Sequence, residues 1–176
     1  MRTARGKVAT PLVALLTALA FSPIGADAAV TCEIVGTNKG ETIRGTKGND
    51  VICARGGRDT VIGRAGKDLI FGGSGNDFLL GGLADDQIYG GHDRDFAYGG
   101  PGGDIIWGGK GADYNLVGER GPDTMVGGPG GELCISAFDG KPNDLIKGGP
   151  GRDVFDADDG DTVYAAEEDA GFCIAE

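Results

Sequence analysis

Aliphatic side chains recur every nine residues through the middle of the chain, as Ile43, Ile52, Val61, Ile70, Leu79, Ile88, Ala97 and Ile106. A period of nine fits neither the 3.6-residue turn of an amphipathic helix nor a heptad. In an extended segment successive side chains point to opposite faces, so each of these residues would point inward and its two neighbours outward. The pattern therefore predicts one short strand per nine residues, each feeding a single apolar side chain into a shared core. Repetition at a fixed period marks a stacked architecture in which every unit buries its face against the next.

With the apolar residue placed at slot eight, slot six is aspartate in eight successive periods, at Asp50, Asp59, Asp68, Asp77, Asp86, Asp95, Asp104 and Asp113. Asp123 follows after a spacing of ten. Glycine fills slot one at Gly63, Gly72, Gly81, Gly90, Gly99 and Gly108, slot two at Gly73, Gly82, Gly91, Gly100 and Gly109, and slot four at Gly66, Gly75, Gly102 and Gly111. Glycine tolerates positive φ, so a tight turn that points carbonyl oxygens inward is expected at these slots. The slot-six carboxylate then joins that ring of oxygens. Hard cations such as calcium take six to eight oxygen ligands, carboxylate and carbonyl together. The aspartates and turn glycines named here are accordingly the expected calcium ligands.

The runs Gly72-Gly73-Ser74-Gly75-Asn76-Asp77-Phe78-Leu79-Leu80, Gly99-Gly100-Pro101-Gly102-Gly103-Asp104-Ile105-Ile106-Trp107 and Gly108-Gly109-Lys110-Gly111-Ala112-Asp113 share the frame Gly-Gly-x-Gly-x-Asp-x-aliphatic-x. This nonapeptide resembles the haemolysin-type calcium-binding (RTX) repeat. The resemblance implies an all-β, right-handed parallel β-roll in which two nonapeptides make one turn and several calcium ions lie between stacked turns. One edge would then carry Asp50, Asp68, Asp86, Asp104 and Asp123, and the other Asp59, Asp77, Asp95 and Asp113, with Glu41 and Glu132 in register at its ends. Carboxylates stacked at a strand spacing of about 4.8 Å repel one another unless cations intervene. The chain is therefore expected to be largely disordered without calcium and folded with it.

Some periods depart from the frame. Arg55 and Gly56 stand at slots two and three before Asp59, and Ala84 and Asp93 replace the slot-four glycine before Asp86 and Asp95. These turns read as weaker sites. The ten-residue spacing from Asp113 to Asp123 predicts a bulge near Tyr114 that turns Leu116 inward in place of Asn115. The resulting organisation is a secretory signal peptide over 1–28, an N-terminal cap over 29–40, the roll over 41–134, an interruption over 135–143, further repeats over 144–164 and a C-terminal cap over 165–176.

The signal peptide rests on Arg2, Arg5 and Lys7 before the apolar run from Val8 to Ala20, with Ala26-Asp27-Ala28 as a small-x-small cleavage site. The apolar run is too short to span a bilayer. Removing Arg2, Arg5, Lys7 and Asp27 takes the formal net charge from −11 to −13. That charge excludes nucleic acid and anionic membrane as natural partners and favours cations. Export also gives Cys32, Cys53, Cys134 and Cys173 an oxidising setting, and their spacing fits no zinc motif. Two disulfides are expected; of the three possible pairings, Cys32 with Cys53 and Cys134 with Cys173 would staple the two ends of the stack.

The outward slots are unusually apolar. Phe71, Tyr89 and Trp107 line up at slot nine on one face, and Phe78, Phe96 and Tyr114 at slot seven on the other, with Tyr98 alongside. Such ladders either stabilise the sheets or offer a face to a cell-surface glycan or protein. Arg58, Lys67, Arg94 and Arg152 at slot five stand beside slot-six aspartates and soften the field of the edges. No nucleophile and base pair up: His92 and Ser74 occupy variable third slots of turns and Ser136 falls in the interruption. The chain reads as a secreted calcium-binding module without catalytic machinery.

Overall fold

The structure, a computed structural model, describes residues 30–164 apart from Leu133, Phe138 and Pro142. The expected signal peptide, the C-terminal cap and Cys173 lie outside the described residues.

The described residues form fifteen strands in two parallel sheets, and no helix. The eight-stranded sheet contains β1 (Ile34–Val35), β3 (Val51–Cys53), β5 (Leu69–Ser74), β7 (Gln87–His92), β9 (Ile105–Lys110), β11 (Thr124–Val126), β13 (Leu145–Lys147) and β15 (Thr162–Tyr164), in that order. The seven-stranded sheet contains β2 (Thr42–Arg44), β4 (Thr60–Ala65), β6 (Phe78–Leu83), β8 (Phe96–Pro101), β10 (Asn115–Arg120), β12 (Ile135–Ser136) and β14 (Phe155–Asp156). Consecutive strands alternate between the sheets, and each pairs with the strand two places on, as in Leu69↔Gln87 and Phe78↔Phe96. The result is the parallel β-solenoid that the nine-residue period calls for.

The core is the slot-eight series. Ile52, Val61, Ile70, Leu79, Ile88, Ala97 and Ile106 are fully buried between the sheets, and Ile43 nearly so. Leu116 is buried and pairs with Ala97, whereas Asn115 pairs with Phe96 on the outer side, so the extra residue is absorbed just before β10 as the spacing predicts. Within 135–143, Ile135–Ser136 forms β12, paired with both β10 and β14, and Ile135 and Ala137 continue the core.

Two local features differ from the sequence reading. The central strands run for six residues rather than three, because backbone pairing continues through the glycine pair, as in Gly73↔Gly91 and Ser74↔His92. Slot-one glycines do not take positive φ; that conformation belongs to slot two, as at Gly73 (φ 106°) and Gly82 (φ 125°), and to most slot-four residues, including Gly66 and Gly75, but not to Gly102, which follows Pro101. Slot one needs glycine for a different reason. A Cβ on Gly81 would lie 2.5 Å from Asp86 Oδ2 and 2.7 Å from the Gly99 carbonyl oxygen, and Gly72 and Gly90 are equally confined by Asp77 and Asp95.

A disulfide joins Cys32 to Cys53 at the first turn, where Val35 pairs with Cys53. Cys134 is also disulfide-bonded.

Candidate metal centre

The two sets of carboxylates stand in two columns, one on each edge of the solenoid. On the first, the Asp50 amide donates to Asp68 Oδ1 at 2.8 Å, Asp68 to Asp86 at 2.8 Å, Asp86 to Asp104 at 2.7 Å and Asp104 to Asp123 at 2.8 Å. The column runs on through Asp144 to Asp161. On the second, Glu41 donates to Asp59 at 2.8 Å, Asp59 to Asp77 at 2.8 Å, Asp77 to Asp95 at 2.9 Å and Asp95 to Asp113 at 2.9 Å. From Asp59 to Asp104 each aspartate therefore gives its N–H to the carboxylate one turn further along and receives the N–H of the turn before. Sequence spacing aligned these residues but did not disclose the ladder, since the partner lies a full turn away.

This ladder uses one carboxylate oxygen per residue. The other, Oδ2, is buried and has no hydrogen-bond donor at Asp59, Asp68, Asp77, Asp86, Asp95, Asp104, Asp113, Asp123 and Asp144. A buried carboxylate oxygen without a donor costs several kcal/mol if the group stays charged. Burial accordingly pushes these acids up from the usual range near 3.8, to about 6 at Asp77, about 7 at Asp86 and Asp104 and about 8 at Asp95, against the lowering effect of the donated amide and with added repulsion from neighbouring acids. Only a proton or a cation relieves such a column.

The donor set fits a hard cation. At several rungs the slot-one glycine faces both a free Oδ2 and a carbonyl oxygen, as with Asp86 and Gly99 around Gly81, or Asp95 and Gly108 around Gly90. Among the described residues no three acidic, histidine or cysteine side chains gather at one point. A cation held here would take one carboxylate oxygen from each contributing aspartate and complete its shell with turn carbonyls, the mixture that calcium accepts and that zinc or copper does not.

A family model for the RTX calcium-binding nonapeptide repeat (four copies) matches residues 35–70, 54–88, 62–97, 80–114 and 138–164. The chain belongs to the RTX calcium-binding nonapeptide repeat family. No curated protein and no solved structure is significantly similar to it. The RTX matches cover the two columns from Asp50 to Asp113 and resume before Asp144, leaving 115–137 between them unmatched. Of the turns that break the RTX frame, Arg55, Ala84 and Asp93 nevertheless hold positive φ, near 79°, so the turn shape survives the substitutions. Asp93 also accepts the Gly75 amide through its side chain.

The remaining predicted positions separate. Lys67 pairs with Asp85, one turn along in slot five, rather than with its slot-six neighbour, and Arg94 lies over the Tyr114 ring at 5.6 Å while donating to its hydroxyl. The aromatic ladders form: Phe71, Tyr89 and Trp107 stack with centroids 5.0 and 4.3 Å apart and planes within 17°, and Phe96 stacks on Tyr114 at 4.9 Å. Phe78 is tilted by 44° to Phe96 and 46° to Tyr98. In the stacked ladders the ring faces are turned to each other, so a flat sugar ring would meet mostly edges. That geometry supports the stabilising role over a glycan platform.

Proposed function

We propose that this protein is an exported calcium-binding β-roll that is unfolded at low calcium and folds when calcium fills the turns. The single observation that carries the reading is the row of buried carboxylate oxygens, one per turn on both edges, that no donor satisfies. Asp50, Asp59, Asp68, Asp77, Asp86, Asp95, Asp104, Asp113 and Asp123 supply the carboxylates, and the glycine turns from Gly63 to Gly111 supply carbonyls. Bound calcium supplies the positive charge that lets the acids remain ionised while buried. Because these oxygens come together only in the folded stack, the binding free energy adds to folding stability.

Secretion agrees with the N-terminal leader pattern, with the Cys32–Cys53 disulfide and with extracellular calcium levels, since open, loop-built calcium modules of extracellular type bind at about 0.1 to 1 mM. Far-ultraviolet circular dichroism of the disulfide-intact chain, titrated with calcium and then with magnesium, tests the proposal. Strand signal should appear cooperatively with calcium in that concentration range and not with magnesium, which demands a tighter octahedral shell. A chain equally folded in chelator would sink the idea.

A further inference from the structure

Between the two stretches matched by the RTX model lies one rung unlike the others. Glu132 takes the slot-six position after Gly127-Gly128-Pro129-Gly130-Gly131, with one methylene more than aspartate. Its side chain is completely buried, and neither Oε1 nor Oε2 meets a donor. Every aspartate of the ladder from Asp59 to Asp123 spends one oxygen on the amide of the turn before, but Asp113 makes no such bond to Glu132 among the described residues. The Glu132 amide does donate onward, to Asp153 Oδ1 at 3.1 Å. Both oxygens of Glu132 are thus left open on a side chain with no exposure to water.

The pocket is shaped around them. A Cβ on Gly127 would lie 2.5 Å from Oε2, so glycine at slot one makes room for that oxygen, while Gly130 is confined first by the Gly111 carbonyl, with Oε1 3.0 Å from its Cβ position. The Gly148 carbonyl also stands 2.5 Å from the Gly127 Cβ position. From the turn after, the Asp153 carboxyl lies within hydrogen-bonding reach of the Glu132 carboxyl and adds its charge, and Asp113 adds charge from the turn before. A buried carboxylate with both oxygens free, flanked by acids and a carbonyl, is the arrangement in which calcium takes a glutamate bidentately.

We propose that Glu132 binds one divalent cation through both carboxylate oxygens, and that this ion joins the central roll to the C-terminal turns across the segment that departs from the repeat. The inference rests on the calcium reading above but concerns a different consequence. Without this rung the second column is broken between Asp113 and Asp153, and the backbone pairing there is short, two residue pairs from β10 to β12 and two from β12 to β14, beside the core contacts of Ile135, Ala137 and Phe155. With it, the column is continuous.

The test compares the full, disulfide-intact chain with E132Q and E132D. Native mass spectrometry counts bound calcium, and hydrogen exchange compares residues 135–156 with residues 69–110. The wild type should protect both regions in calcium. E132Q matches a protonated glutamic acid in size and charge, so it separates ligation from a neutral buried acid. It should bind one ion fewer and lose protection over 135–156 while the central strands stay calcium-protected. E132D should recover the ion, because aspartate serves at the other rungs. An E132Q chain that binds the same number of ions as the wild type overturns the proposal and leaves calcium-dependent folding intact. If E132Q fails to order its C-terminal turns at any calcium concentration, an E132D chain that folds yet lacks the ion overturns it. A wild type that takes up no calcium at all sinks both readings together.

Discussion

At the scale of single residues, the glycines of this chain do two different jobs that one letter conceals. Slot-two and slot-four glycines supply left-handed backbone, whereas slot-one glycines supply empty space beside a carboxylate. The two jobs predict substitutions of opposite sign. Gly81→Ala places a methyl group 2.5 Å from Asp86 Oδ2 and 2.7 Å from the Gly99 carbonyl, both held by the ladder and the strand. Overpacking of this kind costs about 1 to 3 kcal/mol, and the calcium midpoint of folding should rise. Ala84→Gly relieves a non-glycine residue at φ 79°, whose Cβ opposes that conformation. The left-handed penalty of about 1 to 2 kcal/mol exceeds the added chain entropy of glycine, about 0.4 to 1 kcal/mol, so the midpoint should fall. Paired calcium titrations by circular dichroism measure both, and a midpoint that moves the same way in the two variants would refute the distinction.

At the scale of elements, alternation along each strand was legible because every slot-eight residue from Ile52 to Ile106 had one burial fate. The bulge before β10 was legible too, since Leu116 and Met125 had to share a face and counting back left one residue over. Other features were not visible, for physical reasons. The strands lengthen into the glycine pair because pairing depends on the turn above and below, and glycine by itself reads as a breaker. Ile34 escaped notice because its strand is two residues long and only partly buried. The amide-to-carboxylate ladder was hidden because its partners stand eighteen residues apart and exist only once the turns stack. Aromatic register, by contrast, followed directly from the period, and it makes a quantitative prediction. Tyr89 is stacked on both sides, by Phe71 and Trp107, whereas Phe71 stacks on Tyr89 at the end of the run. Stacked pairs contribute about 0.5 to 1.5 kcal/mol beyond the area they bury. Tyr89→Ala should therefore lower the melting temperature of the calcium-loaded protein more than Phe71→Ala does, and equal losses would show that area alone matters.

At the scale of the whole molecule, the two carboxylate columns couple folding to protons as well as to calcium. The folded-state values of Asp77, Asp86, Asp95 and Asp104 stand at about 6, 7, 8 and 7, above the ordinary value of 3.8 that an unfolded chain would show. Burial is the leading cause for each. A raised folded pKa means that the folded chain holds more protons than the unfolded one between those limits. Stability from these groups is then fully present below about pH 4 and is lost as pH rises through 6 to 8. The excess of negative charge acts in the same direction, since self-repulsion of a chain at −11 eases as acids are protonated. In chelator, strand signal should therefore be weakest at pH 8 and grow as the pH is brought to 5. Calcium acts on the same oxygens, so protons and calcium must compete for them. The calcium concentration needed for folding should fall from pH 8 towards pH 6, while the number of ions bound at saturation should decline in acid. Circular dichroism at fixed chelator across this pH range, alongside calcium counting at each pH, checks the coupling. A metal-free chain that loses strand on acidification would show that the columns are not the groups that hold the roll apart.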